Sequence, residues 1–134
     1  MGKRSTARRL AMQVLYQLEV NPAEDLEEVL SHTMESEEFP EETNDFALAL
    51  TRGVWEKRKE LDKTISERSI GWPIDRINLV DRSILRLSIY ELLHTDTPQS
   101  VVINEAVNLA KKYGTDESSK FINGILGKLV DEKK

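Results

Sequence analysis

Two sets of residues in this chain have types and spacings that could do chemistry. The first is Glu91 and His94, three positions apart, the spacing at which a helix puts a carboxylate and an imidazole on one face; helical di-iron sites use that pair twice. The other histidine, His32, has Glu28 and Glu35 nearby but no glutamate three residues before it, so the second half is missing and no metal is expected. His94 then reads as a residue that ends a helix and suits its negative end. The second set is basic: Lys3, Arg4, Arg8 and Arg9 stand in a stretch of eighteen residues without one acid. Such a run can neutralise phosphates and release their counterions, and on its outer face Gln13 and Tyr16 would offer a polar group and a ring on which an unstacked base can lie. Lys111, Lys112 and Lys120, beside Phe121, form a smaller basic group around Gly114. Each feature has a plainer reading: a solubilising tail, a surface tyrosine, two ordinary helix ends, a core phenylalanine.

Catalytic motifs are missing. There is no GxxxxGK[ST] phosphate loop, no HExxH, no GxSxG and no cysteine to act as nucleophile, so no enzyme and no cofactor are expected. A helical binding module without RNA, and a metal-dependent bundle, are the competing classes.

The elements that must position these residues follow from apolar periodicity. Ala7, Leu10, Ala11, Val14, Leu15 and Leu18 recur at helical spacing, with Ser5 or Thr6 as cap, and put Arg9, Met12, Gln13 and Tyr16 opposite the buried stripe, with Arg8 on its flank. Asn21-Pro22 reads as a cap and first helical residue opening a second helix through Leu26, Val29, Leu30 and Met34. A third runs from about Glu42 through Gly53 toward Leu61 and Ile65; a glycine inside it predicts a neighbouring backbone close by. Pro73 could start a single turn ending near Ile77. The segment Asn78–Leu93 is apolar around most of its circumference, with Arg82, Ser83, Arg86 and Tyr90 on one polar seam, and predicts a central helix capped by Asn78 and Asp81. Ser100 is placed to cap the next helix and Gly114 to end it in a left-handed conformation. A last helix begins near residues 116–118, and the terminal lysines form a frayed tail.

No stretch alternates with the period of a strand. The expectation is an all-α fold of six to seven helices, one domain over residues 1–134, built as two small packed subbundles of about 1–70 and 71–134. A chain of 134 residues suits one core. Without cysteine or a long apolar run, the default is a cytoplasmic protein with no disulfide and no membrane contact. The net charge of −5 hides an asymmetry, since the first eighteen residues carry +4 and the remainder −9. Residues 19–45 hold eleven acids and no Lys or Arg, which reads as a solvated outer face.

The stretches RSTARRLAMQVLYQ, VDRSILRLSIYELL and, above all, VVINEAVNLAKKYGTDESSKFINGIL resemble the NusB family of bacterial transcription antitermination factors, in order over nearly the whole chain. The acidic middle matches no motif of that family. The resemblance implies an all-α fold and a binding role: recognition of the boxA element of ribosomal RNA leader transcripts together with the ribosomal protein NusE, in a complex with other Nus factors on RNA polymerase. It maps RNA contact to Arg4, Arg8 and Arg9, with Lys3 just ahead, and places Asp75 and Asp81, with Tyr16, near the surface that meets NusE; Gln13, Tyr16, Lys120 and Phe121 are further RNA candidates by type and position, and Arg76 a further partner candidate. Ser5 and Thr6 stand where richer versions of the motif carry arginines, which implies fewer phosphate contacts. Five such contacts on a single strand would give a salt slope of about −3.5. Alanine at Arg8 and Arg9 is expected to weaken RNA binding at little cost to the fold. Some relatives pair as homodimers that cover the RNA surface, and both a monomer and a homodimer stay open here. The same domain occurs fused to RNA methyltransferases; at this length the expectation is the binding module alone.

Overall fold

The computed structural model describes residues 2–35, 38–69 and 71–132. Among them are seven α-helices and no strand, so the all-α expectation holds: α1 Lys3–Val20, α2 Leu26–Met34, α3 Glu41–Glu56, α4 Arg58–Ser66, α5 Leu79–His94, α6 Gln99–Tyr113 and α7 Ser118–Glu132. A 3₁₀ turn, Ile74–Arg76, precedes α5, where the sequence predicts a single turn. The tail lysines Lys133 and Lys134, and Ile70 within the break before Pro73, lie outside the described residues.

Helix α5 is the centre, because α1, α3, α4, α6 and α7 all pack on it. Its first turn is closed as expected: the Asn78 side-chain oxygen accepts the Asp81 N–H at 2.9 Å, satisfying one of the donors a helix start leaves orphaned. Ile84, Leu85, Leu87 and Ile89 are fully enclosed. The expected polar seam is enclosed too. Ser83 and Arg86 are buried, and Arg86 meets Asp62 of α4 and Glu19 of α1 instead of water.

Helix α1 serves two clusters. Ala7, Leu10, Val14 and Leu18 face α2 and α3 through Val29, Leu30 and Ala47, whereas Ala11, Met12 and Leu15 join the larger core around α5. Met12, expected outside, is therefore buried, because the helix is covered on two sides rather than one.

Several local expectations need correction. Helix α1 starts at Lys3, ahead of Ser5 and Thr6, and Ser5 Oγ donates to Glu105 Oε1 at 2.5 Å rather than capping. Asn21 closes α1, its N–H donating to Gln17 O at 2.9 Å, and α2 opens only at Leu26, where Asp25 accepts the Glu27 N–H. The long third helix is two, broken at Lys57, beside which Arg58 donates to the Trp55 carbonyl and stacks 4.2 Å above the Trp55 ring. Helix α6 begins at Gln99 after Pro98, with no side-chain cap from Ser100. Gly114 has φ −97°, so it is not left-handed; its lack of a side chain matters because a Cβ would stand 2.5 Å from Ser118 Oγ. The left-handed glycine is Gly71, φ +83°, in the turn between α4 and the 3₁₀ segment.

Candidate nucleic-acid interface

The antiparallel packing of α1 on α5 is fixed at two points by ion pairs, and these decide which basic side chains reach solvent. Near the start of α1, Arg8 Nε and Nη2 donate to the two oxygens of Glu91 at 2.6 and 2.9 Å. Near its end, Arg82 and Arg86 donate to the two oxygens of Glu19 at 3.0 and 2.8 Å, and Arg86 also holds Asp62 at 2.6 and 2.7 Å. Burial pushes the Glu19 carboxyl upward, but Arg86 and Arg82 outweigh it and leave the group below its ordinary value. For Arg86, burial works against the charge and the two carboxylates again outweigh it, so its affinity for the proton rises.

Arg8 is only 3 % exposed, which corrects the expectation that it projects off the buried stripe. Two of its five N–H donors are taken by a fully buried carboxylate, Nη1 lies toward Glu105, and burial of the side chain keeps the remaining ones from a phosphate. The same contact occupies both oxygens of Glu91, so the Glu91 and His94 pair does not share an open face; His94 packs against the Tyr90 ring at 5.1 Å.

Lys3 and Arg4 are exposed at the start of α1, Lys3 3.5 Å from Glu42 and Arg4 stacked 4.7 Å above the Phe46 ring of α3. Arg9, Gln13 and Tyr16 follow at spacings of four and three along one side of α1, where Arg9 Nη1 donates to Gln13 Oε1 at 3.3 Å. Tyr16 is 40 % exposed and Val20, four residues on, is exposed as well. The expected base platform is therefore open to solvent.

The second set of candidates converges elsewhere. A cleft of about 580 Å3 between the 3₁₀ turn, the start of α5 and the start of α7 is lined by Trp72, Arg76, Asp81, Thr115, Lys120 and Phe121. Arg76 and Asp81, expected at the protein partner, and Lys120 and Phe121, expected at RNA, thus share one surface. Asp75 is exposed next to it. Phe121 is half-buried and packs on the core with one part of its ring. Asp81 is 5 % exposed; its Oδ2 accepts from Asn78 Nδ2 at 3.2 Å and its Oδ1 has no hydrogen-bond partner among the described residues. Trp72, 53 % exposed at the mouth, was missed by sequence reasoning. The signal available was an aromatic residue between Gly71 and Pro73, where the helical periodicity breaks.

A helical scaffold with a basic, aromatic-bearing outer helix and a second cleft of mixed charge defines a macromolecule-binding module. The model of the NusB family matches residues 5–131, and the chain belongs to that family. It is 46 % identical to the transcription antitermination protein NusB of Acetivibrio thermocellus, covering 99 % of this chain and 91 % of that one. It is 44 % identical to the protein of the same name from Macrococcus caseolyticus, over 97 % and 98 %. Among solved structures, T. maritima NusB superposes with a TM-score of 0.89 at 36 % identity, covering 98 % of this chain and 92 % of that one. The antitermination factor NusB, solved with NusE in complex with dsRNA, superposes at 0.88 with 28 % identity, covering 98 % of each chain. No described helix is long and apolar enough to cross a membrane.

Proposed function

We propose that this protein is a transcription antitermination factor that binds the boxA element of rRNA leader transcripts together with NusE and joins the other Nus factors on RNA polymerase. It acts as a binding module in the cytoplasm and catalyses no reaction. The observation that carries this reading is the open side of α1, where Lys3, Arg4 and Arg9 supply cations and Gln13 and Tyr16 a hydrogen-bonding group and a ring. A phosphate backbone needs the first and an unstacked base the second. Support from outside the chain is the structural relative solved with NusE and dsRNA.

Lys120 and the exposed part of Phe121 extend the RNA surface, while Asp75, Arg76, Asp81 and Tyr16 meet NusE. Asp81 Oδ1 is buried without a hydrogen bond among the described residues, so a donor from a basic partner entering the cleft would relieve a costly unpaired acceptor. The test compares boxA RNA with a scrambled RNA of equal length, with and without NusE, for the parent, Tyr16→Ala and Phe121→Ala. Each aromatic is expected to contribute about 1–3 kcal/mol to boxA binding. Equal binding of the two RNAs, unchanged in both variants, would refute the assignment of base recognition to these rings.

A further inference from the structure

Arg8 is held on three sides. Beyond its two bonds to Glu91, its Nη1 lies 3.8 Å from Glu105 on α6, and its guanidinium stands 5.4 Å from the centroid of the Phe46 ring. Arg4, one helical turn earlier, rests over that same ring at 4.7 Å. One aromatic ring therefore carries two guanidinium groups, a buried inner one and an exposed outer one. Glu105 also accepts from Ser5, so the start of α1 is tied to α3, α5 and α6 through a single cluster.

The charges in that cluster are uneven, with two carboxylates against the one buried cation. Were the Arg8 charge removed, Glu91 would be a buried carboxylate without a counterion and Glu105 would lie close by. The cation able to turn inward is Arg4, one turn away on the same helix. An inward Arg4 would no longer face solvent.

Resting on the RNA reading above, we propose that Arg8 is a positioning residue for RNA binding. It touches no phosphate. It fixes the Phe46 ring and satisfies Glu91 and Glu105, so that the Arg4 guanidinium stays on the outside of that ring, available to the nucleic-acid backbone. Lysine cannot replace it fully, because an ammonium keeps the charge but has neither the two-pronged fit to a carboxylate nor a flat face to pack on a ring.

The test uses the whole protein and the variants Arg4→Ala, Arg8→Met, Arg8→Lys and each Arg8 variant combined with Arg4→Ala, with folding checked by circular dichroism. RNA affinity is measured across a salt series, and the Arg4 Nε–H resonance, shifted by the Phe46 ring current, is followed by NMR without RNA. In Arg8→Met the affinity is expected to fall as far as in Arg4→Ala, with the salt slope shallower by about 0.7, and adding Arg4→Ala should change neither further. The Arg4 resonance should leave its ring-shifted position for that of a guanidinium hydrogen-bonded to a buried carboxylate, with slower exchange with water. If Arg8→Met does not fold, Arg8→Lys carries the test, with the same non-additivity and a smaller shift. Additive losses, with the slope shallower by about 1.4 in the double variant, would mean that Arg8 meets a phosphate itself and would overturn the proposal. So would a folded Arg8 variant whose affinity, slope and Arg4 resonance match the parent. Failure of the parent to bind any RNA would instead refute the RNA reading, while the Arg4 resonance would still report whether Arg8 positions it.

Discussion

The Tyr90 ring of α5 lies so closely on Gly53 of α3 that a Cβ at position 53 would overlap the ring Cζ and its hydroxyl. The glycine predicts a close approach from sequence, but what approaches is an aromatic side chain and not a backbone. Gly53→Ala should therefore destabilise the fold by about 1–3 kcal/mol in urea unfolding, the cost of overpacking. Helix propensity alone would stabilise it by about 1 kcal/mol. A more stable alanine variant would show that the ring moves aside freely.

Arg8 and Arg9 are neighbours with opposite surroundings, and their alanine variants should separate cleanly. Arg9→Ala removes a half-exposed side chain bonded to Gln13 and should change stability by about 0.5 kcal/mol or less. Arg8→Ala removes the bidentate partner of the buried Glu91 carboxylate, which an inward Arg4 replaces only in part, and should cost up to about 3–5 kcal/mol. Equal, small changes in thermal unfolding would mean that the buried Arg8–Glu91 pair contributes no more to the fold than the Arg9–Gln13 contact at the surface.

Periodicity located the central helix, its Asn78 cap and the apolar faces of the last two helices because those features depend on neighbours in sequence. What it misplaced depends on neighbours in space. Arg8, Arg86 and Met12 read as surface residues by type or by position on a helix, yet α1 and α5 are each covered on more than one side, and charged side chains are buried there only because Glu91, Glu19 and Asp62 arrive from other elements. The meeting of Arg76 and Asp81 with Lys120 and Phe121 is likewise a consequence of α7 crossing the start of α5. The family resemblance was readable because its motifs lie in the helices that make these contacts.

The Glu19 carboxyl gives a pH dependence whose sign can be worked out. Its proton affinity is lower folded than unfolded, so its contribution to stability is fully present above the ordinary carboxylate range and is lost as pH falls through that range toward the folded value. Below about pH 4 the parent should lose stability more steeply than Glu19→Gln. Parallel curves of unfolding free energy against pH would show that Arg82 and Arg86 do not hold Glu19 in the folded state.

At Asp81, helix capping and partner binding can be pulled apart. Asn78→Ala removes the side-chain acceptor of the Asp81 N–H and should cost about 1 kcal/mol of stability. Asp81→Asn keeps that backbone bond, so the fold should stay within about 1 kcal/mol of the parent while affinity for NusE falls. A loss of NusE binding in Asn78→Ala as large as that in Asp81→Asn would assign Asp81 to the fold rather than to the partner.

The central claim is that an acidic protein binds boxA RNA through one basic helix face, and a salt series of boxA binding with and without NusE tests it most directly. With Arg8 buried, three cations remain on the α1 face, Lys3, Arg4 and Arg9, and Lys120 adds a fourth from the cleft, each exposed or half-exposed. At about 0.7 counterions per contact to a single strand, the slope of log affinity against log salt should be about −2.8 for the protein alone, with NusE raising the affinity. No binding of boxA RNA in either condition, or a slope near about −7 with no discrimination from scrambled RNA, would contradict it.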